Sequence, residues 1–309
     1  MIEQIYKYGH ASKLSPGPQG CSLNLASDHA AAVKPPFLKA RVLFPDVTAK
    51  SLRAVSEIVG SRFYVPPSML AKILREADPV ATVGADAVRF EGFSACCSAY
   101  IRLDLDNDAL KTEERRKGTT NVDFGPKMRG ALSTVARSAE MEISIGASSV
   151  EIITNGNSIV EKKVPLPLRW VKGFAEVQVA IAGMQPAFNL PKISAQRFLR
   201  GLPGGKNDQR IWVTANGTTA RVSARESRGA VSLWGSHRLR VFEPLVALAD
   251  SLDVQCNYAT GATSWALDFG SQRLWVILNA EPWRGFSGDG GLLSKIATSD
   301  KSGVAAIAA

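Results

Sequence analysis

The chain has 309 residues, long enough for two ordinary domains, and a composition that is 45% hydrophobic and 21% charged excludes an intrinsically disordered chain. Lysine and arginine exceed aspartate and glutamate by 37 − 28 = 9, and the resulting net charge of +9 favours an acidic partner, nucleic acid first and an anionic surface second. The four cysteines, Cys21, Cys96, Cys97 and Cys256, are too scattered for a disulfide framework, and neither a CxxC nor a histidine pair at zinc spacing occurs.

Residues 1–36 read as an N-terminal arm with a strand at Ser22–Leu25 and a stop at Pro35-Pro36. Met1–Tyr8 contains Glu3 and lacks an apolar signal core, and no run of eighteen apolar residues follows anywhere. Neither export nor a membrane span is expected, and the predicted location is the cytoplasm, at the nucleoid.

Phe37–Phe44 alternates like a strand, and Thr48 is placed to cap a helix that buries Leu52, Val55, Ile58 and Val59. Lys50, Arg53 and Arg62 fall off that stripe. A short helix over Pro67–Ala77 precedes three strands, Val80–Val83, Ala87–Phe93 and Ser98–Leu105, with Cys96 and Cys97 read as small core residues. Asp104–Lys117 reads as a charged, solvated connector. Asp104, Asp106 and Asp108 alternate as calcium ligands do, but no glycine or distant glutamate completes the loop.

The same order then returns. Asn121–Phe124 is a strand, and Pro126 opens a helix that buries Met128, Leu132 and Val135 while Lys127, Arg129 and Arg137 stay wet. Ile143 and Ile145, then Val150 and Ile152, alternate with polar residues, and Asn155-Gly156-Asn157 is a hairpin signal. Leu168–Met184 forms a helical or irregular segment into the second half, packed down by Trp170 and Phe174. A third unit has a strand at Pro186–Leu190 and a helix at Ser194–Gly201 that buries Phe198 and Leu199 and leaves Arg197 and Arg200 outside, with Lys206 just after it. Strands at Arg210–Thr214, Thr219–Ser223 and Ala230–Trp234 complete it. A fourth has a strand at Arg238–Phe242, a helix at Pro244–Ala249, and strands at Leu252–Tyr258, Ser264–Phe269 and Arg273–Leu278. The expected fold is α+β with antiparallel sheets, in two domains of two strand-helix-three-strand repeats each: 37–167 and 186–309, joined by 168–185.

Catalytic signals are missing. His10, His29 and His237 are isolated, and no GxSxG elbow, HExxH helix or paired carboxylate motif occurs. The glycines of Glu281–Leu293 lack the lysine and hydroxyl residue of a phosphate-cradling loop, so no enzyme, cofactor or metal is expected.

Two pairs of such units resemble the architecture of DNA sliding clamps of the proliferating cell nuclear antigen type across roughly Phe37–Ala280. That resemblance implies sheets outside, helices lining a hole around double-stranded DNA, twelve helices per ring, and hence a homo-oligomer of three chains. The stretches SRFYVPPSMLAKILREADPVATV, RFEGFSACCS, GTTNVDF, KKVPLPLRWVKGFAEVQ and EPWRGFSGDG are similar to the leading region of bacterial SWIM zinc-finger family proteins; the CxC and CxH of the finger itself are absent.

The sequence reading is therefore a non-enzymatic, clamp-like scaffold that holds duplex DNA through its phosphates and tethers partner proteins. The candidate DNA-binding residues are Lys50, Arg53, Arg62, Lys127, Arg129, Arg137, Arg197, Arg200, Lys206, Arg238 and Arg240. The alternative is a protein–protein interaction module of a SWIM-type system, its charge meant for an acidic protein. Convergence of those cations on one face separates the two.

Overall fold

The computed structural model describes residues 13–17, 20–24, 35–62, 78–121, 124–164, 166–205, 209–281 and 285–286. The chain divides into two units, Met1–Pro35 and Pro36–Ala309. In the first, β1 (Lys13–Gly17) pairs antiparallel with β2 (Gly20–Asn24).

The second unit begins with β3 (Leu38–Val42), α1 (Pro45–Gly60), β4 (Val80–Val83), β5 (Ala87–Phe93) and β6 (Ala99–Asp106). After β7 (Leu110–Arg115) come β8 (Gly118–Asn121), α2 (Pro126–Ser133), β9 (Met141–Ile145), β10 (Ser149–Thr154) and β11 (Asn157–Lys162). The lead strands are exchanged: β3 pairs antiparallel with β9, and β8 with β4. Asn155 and Gly156 form the two-residue turn between β10 and β11, both at positive φ (50° and 78°), which is why this dipeptide marks the hairpin.

The remainder comprises α3 (Leu168–Ala182), β12 (Gln185–Pro191), α4 (Lys192–Arg200), β13 (Ile211–Asn216), β14 (Thr219–Ser223), β15 (Val231–Leu233), a 3-10 segment (Ser236–Phe242), β16 (Ser251–Cys256), β17 (Thr263–Asp268) and β18 (Gln272–Leu278). Three sheets result, ordered β11-β10-β9-β3-β7, β12-β16-β17-β18-β6-β5-β4-β8 and β14-β13-β15. The eight-stranded sheet is continuous because β6 pairs with β18 over seven positions, from Ala99 opposite Leu278 to Leu105 opposite Gln272.

Alternation decides which face of that sheet is covered. Phe90, Leu103, Leu274, Trp265 and Leu252 fall on one face and are fully buried, with α1 packed over β5 and β6 and α4 over β12 and β16. A Cβ at Gly92 would lie 2.6 Å from Val59 Cγ2, so only glycine lets the end of α1 settle on β5. The other face carries Arg89, Glu91, Arg102, Asp104, Arg273 and Trp275 in a polar network. At the end of β5, Trp170 and Phe174 of α3 meet Phe93 edge-on at 5.6 and 5.1 Å.

Several expectations change. Thr48 is not a cap: α1 starts at Pro45, and Thr48 is buried inside it, donating Oγ1 to Gln272 Oε1 at 2.9 Å. The charged connector is partly strand, since β7 pairs with β3, and its Asp104 belongs to β6. The strand before α2 is β8, three residues earlier than Asn121–Phe124. Arg238–Phe242 lies in the 3-10 segment rather than a strand, entered through Gly235 at φ 64°, and the helix expected at Pro244–Ala249 is a series of turns. Leu245, Val246 and Ala249 are nonetheless buried, but the five residues between Pro244 and Asp250 are too few to propagate a helix. The helix expected at Pro67–Ala77 lies outside the described residues, as does most of Glu281–Leu293.

Candidate nucleic-acid interface

On the covered face of the eight-stranded sheet α1 packs against α2 on one side and the 3-10 segment on the other, and α4 packs against the same 3-10 segment. The four pieces form one layer. Small residues make the close approach possible: Ser51, Ala54 and Ser56 on the flanks of α1 are buried along with its apolar stripe. Only a narrow strip of α1 reaches water. Lys50 is half-buried on it, and Arg53 and Glu57 are exposed, at the three and four residue spacing that lines up one helical face.

The neighbouring helices repeat this arrangement without acids. In α2, Met128 and Leu132 are buried while Lys127 and Arg129 are exposed; Arg129 Nη1 donates to Phe124 O at 2.9 Å. In α4, Ala195, Phe198 and Leu199 are buried, and Ile193, Arg197 and Arg200 form the exposed strip. Arg62, just past α1, and Arg137, just past α2, are also exposed. Among the described residues none of Lys50, Arg53, Arg62, Lys127, Arg129, Arg137, Arg197 and Arg200 takes part in an ion pair. Apart from Arg240 with Glu243 at the 3-10 segment, ion pairs join strand cations to acids, Lys39 to Glu113 at 2.7 Å, Arg41 to Glu140 at 2.7 Å, Arg89 and Arg102 to Asp104, and Arg273 to Asp253 and Asp268.

Two of the sequence-derived cations are not available to a ligand. Arg238 is 4% exposed, its guanidinium bound to Ser98 and Cys96. Arg240 is half-buried, paired with Glu243 at 2.8 Å and donating to the carbonyls of Leu202 and Pro203. The 3-10 segment, unlike the strand expected there, turns Arg238 into the β5–β6 loop and draws Arg240 to the carbonyls that follow α4. Lys206 lies outside the described residues.

A cation that the sequence reading omitted joins the layer. Lys192, at the start of α4, and Arg137 line one cleft of about 350 Å³ with Phe44 and Asp46 from the start of α1, Asp250 and Gln272. The cleft brings together the start of α1, Arg137 just past α2 and the start of α4, which are distant in the chain. Its two cations are matched by two carboxylates, so the unbalanced charge sits on the helix strips and not here. A lysine directly after Pro191, at the first turn of a helix, was the available signal.

No family model and no curated protein matches the chain, so the likeness to SWIM zinc-finger proteins is not shown. Solved structures do match in fold. The Proliferating Cellular Nuclear Antigen from Entamoeba histolytica is similar with a TM-score of 0.52 at 9% identity, over 79% of this chain and 98% of that one. A chain of the PCNA2-PCNA3 complex from Sulfolobus tokodaii is similar with a TM-score of 0.51 at 9% identity, over 78% of this chain and 98% of that one. The protein thus has a mixed α/β fold with antiparallel sheets, structurally similar to sliding clamps of this type.

Proposed function

We propose that the protein is a non-enzymatic, clamp-like scaffold whose helix layer holds double-stranded DNA by its phosphates, without reading its sequence, and which tethers partner proteins. The observation that carries this reading is the contrast in charge pairing. Cations on the solvent strips of α1, α2 and α4 have no acidic partners among the described residues, whereas Lys39, Arg41, Arg89, Arg102 and Arg273 on the strands do. Unpaired Lys and Arg on the exposed strips of these helices suit a polyanion, and each contact would release counterions.

A ring is the second part of the proposal. Inside the chain β6 and β18, each the third strand of its meander, pair antiparallel. β11 ends the meander β9-β10-β11 and has one edge unpaired among the described residues, as does β15, which lies beside β13 in the order β14-β13-β15. Pairing the open edge of β11 in one copy with that of β15 in the next would extend the sheets across chains much as β6 and β18 do within one and, with the sliding-clamp likeness, supports a closed homo-oligomer, a trimer in the first instance.

The test is charge reversal. Replacing Lys127, Arg129, Arg197 and Arg200 by Glu is expected to abolish fluorescence-anisotropy binding to a random-sequence duplex at low salt while circular dichroism stays unchanged. For the wild type, log K should fall linearly with log salt, at roughly one unit of slope for each phosphate contact. Unchanged duplex binding by the folded variant, or none by the wild type, rejects the DNA reading and leaves the interaction-module alternative.

A further inference from the structure

Away from the helix strips, the most unusual polar cluster sits where the β5–β6 loop, SACCS at 94–98, meets the 3-10 segment. Cys97 holds φ 56°, a left-handed conformation uncommon outside glycine, and its N–H donates to Ser94 O at 2.7 Å. Next to it, Cys96 lies against Arg238. Arg238 Nη2 donates to Cys96 Sγ at 3.1 Å and Nη1 to Ser98 Oγ at 2.7 Å, while Nε has no partner among the described residues.

Arg238 is 4% exposed and forms no ion pair with a carboxylate among the described residues. A guanidinium does not give up its proton, and a buried positive charge without a counter-charge is strongly destabilising. The group in contact that can supply negative charge is the sulfur of Cys96.

The hydroxyls agree with this assignment. Ser98 Oγ already accepts from Arg238, and Ser94 Oγ already accepts from Ala99 N at 3.1 Å. Their own hydrogens are free to point at Cys96 Sγ, which lies 3.2 Å from Ser98 Oγ and 3.6 Å from Ser94 Oγ. Three donors therefore converge on the sulfur. Arg169 of α3 reaches the same loop, donating to Ala95 O at 3.4 Å.

Exposure separates this cysteine from its neighbours. Cys96 is partly open to solvent, whereas Cys97 and Cys256 are buried, and burial pushes the Cys256 thiol above its ordinary range.

We propose that Cys96 is held as a thiolate by Arg238 and is a site of reversible oxidation by hydrogen peroxide. The sulfur attacks one peroxide oxygen; an S–O bond forms, the O–O bond breaks, sulfur gives up two electrons and hydroxide leaves. Protonation by solvent yields the sulfenic acid and water. The added oxygen comes between sulfur and guanidinium, so the contact between the β5–β6 loop and the 3-10 segment loosens, and a thiol reductant restores it.

The experiment uses the whole reduced protein, with iodoacetamide labelling of each cysteine followed by mass spectrometry from about pH 5 to pH 9. Cys96 is expected to react about tenfold faster than Cys256 near pH 6.5, with a rate that is already level there. Peroxide followed by dimedone should tag Cys96 and spare Cys256. Arg238→Gln should move the Cys96 profile to higher pH; if that variant does not fold, the wild-type profile decides. A Cys96 rate that climbs through pH 8 to 9 like an ordinary thiol, an absent dimedone adduct, or an unchanged profile in folded Arg238→Gln overturns the proposal.

Discussion

Asp104 accepts the indole N–H of Trp275 at 3.1 Å across the β6–β18 pairing. The same carboxylate binds Arg89 Nε at 3.0 Å and Arg102 Nη2 at 2.6 Å, and the guanidinium groups of Arg102 and Arg273 lie 5.1 and 5.3 Å from the centre of the Trp275 ring. One acid thus organises two arginines and a tryptophan on the face of the sheet away from α1. Asp104→Ala would leave those donors without an acceptor, and a loss of about 2–3 kcal/mol in urea unfolding is expected. A loss below about 0.5 kcal/mol would mean that water replaces the carboxylate at no penalty.

The ring of Phe198 on α4 stacks on Trp265 of β17, with centroids 5.5 Å apart and planes 4° apart, and this contact fixes α4 to the sheet. Phe198→Ala is expected to lower stability by about 3–5 kcal/mol, while Phe198→Leu, which keeps most of the volume, should lose far less. Thermal melts of the two variants side by side check it. Equal losses would indicate that the aromatic geometry, not the filled space, matters.

Burial pushes the Glu91 carboxyl above the ordinary glutamate range, against the opposing pull of the Tyr100 hydroxyl bonded to it and of Arg89 and Arg102. Tyr100 is in turn pushed well above its own range, by burial first and the Glu91 charge second. Because the folded-state value for Glu91 is raised, its contribution is present at pH below the ordinary glutamate range and is lost as pH rises through the folded value. Glu91→Gln keeps an acceptor for Tyr100 and carries no charge. Its melting temperature should exceed that of the wild type near pH 8 and match it near about pH 4. Equal melting temperatures at both pH values would contradict a raised folded-state value.

Val160 lies on β11 and is 53% exposed, at the edge proposed to pair with β15 of another copy. Val160→Lys places a charge where a strand would have to dock. Light scattering after size exclusion should show the assembly reduced to single chains, with the fold destabilised by no more than about 0.5 kcal/mol. A wild type that is already monomeric would remove the ring and leave the helix strips to be judged alone.

Strongly periodic segments were legible. The buried faces of α1, α2 and α4 and the strands carrying Ile143 and Ile145 and then Val150 and Ile152 follow directly from spacing, because the residues that alternate are the ones that must leave water. What stayed hidden is what distant partners decide. The residues of β7 after Leu110 are mostly charged and exposed, so only the edge of a sheet built from elsewhere makes a strand of them. Arg238 reads as a surface cation in any local window; its burial depends on Ser98 and Cys96, 140 and 142 residues away. The cations on α1, α2 and α4 could be picked out by their place off the apolar stripe, but that the helices touch one another is a property of the exchanged lead strands, β3 with β9 and β8 with β4.

The unbroken backbone ladder through β6 and β18 also has a mechanical meaning. Seven paired positions knit the two halves of the chain into one stiff plate, and folding that plate would rupture a row of buried bonds together. If several copies close around a filament, the weak places are the borders between chains, and a gap wide enough to admit the filament would have to appear there.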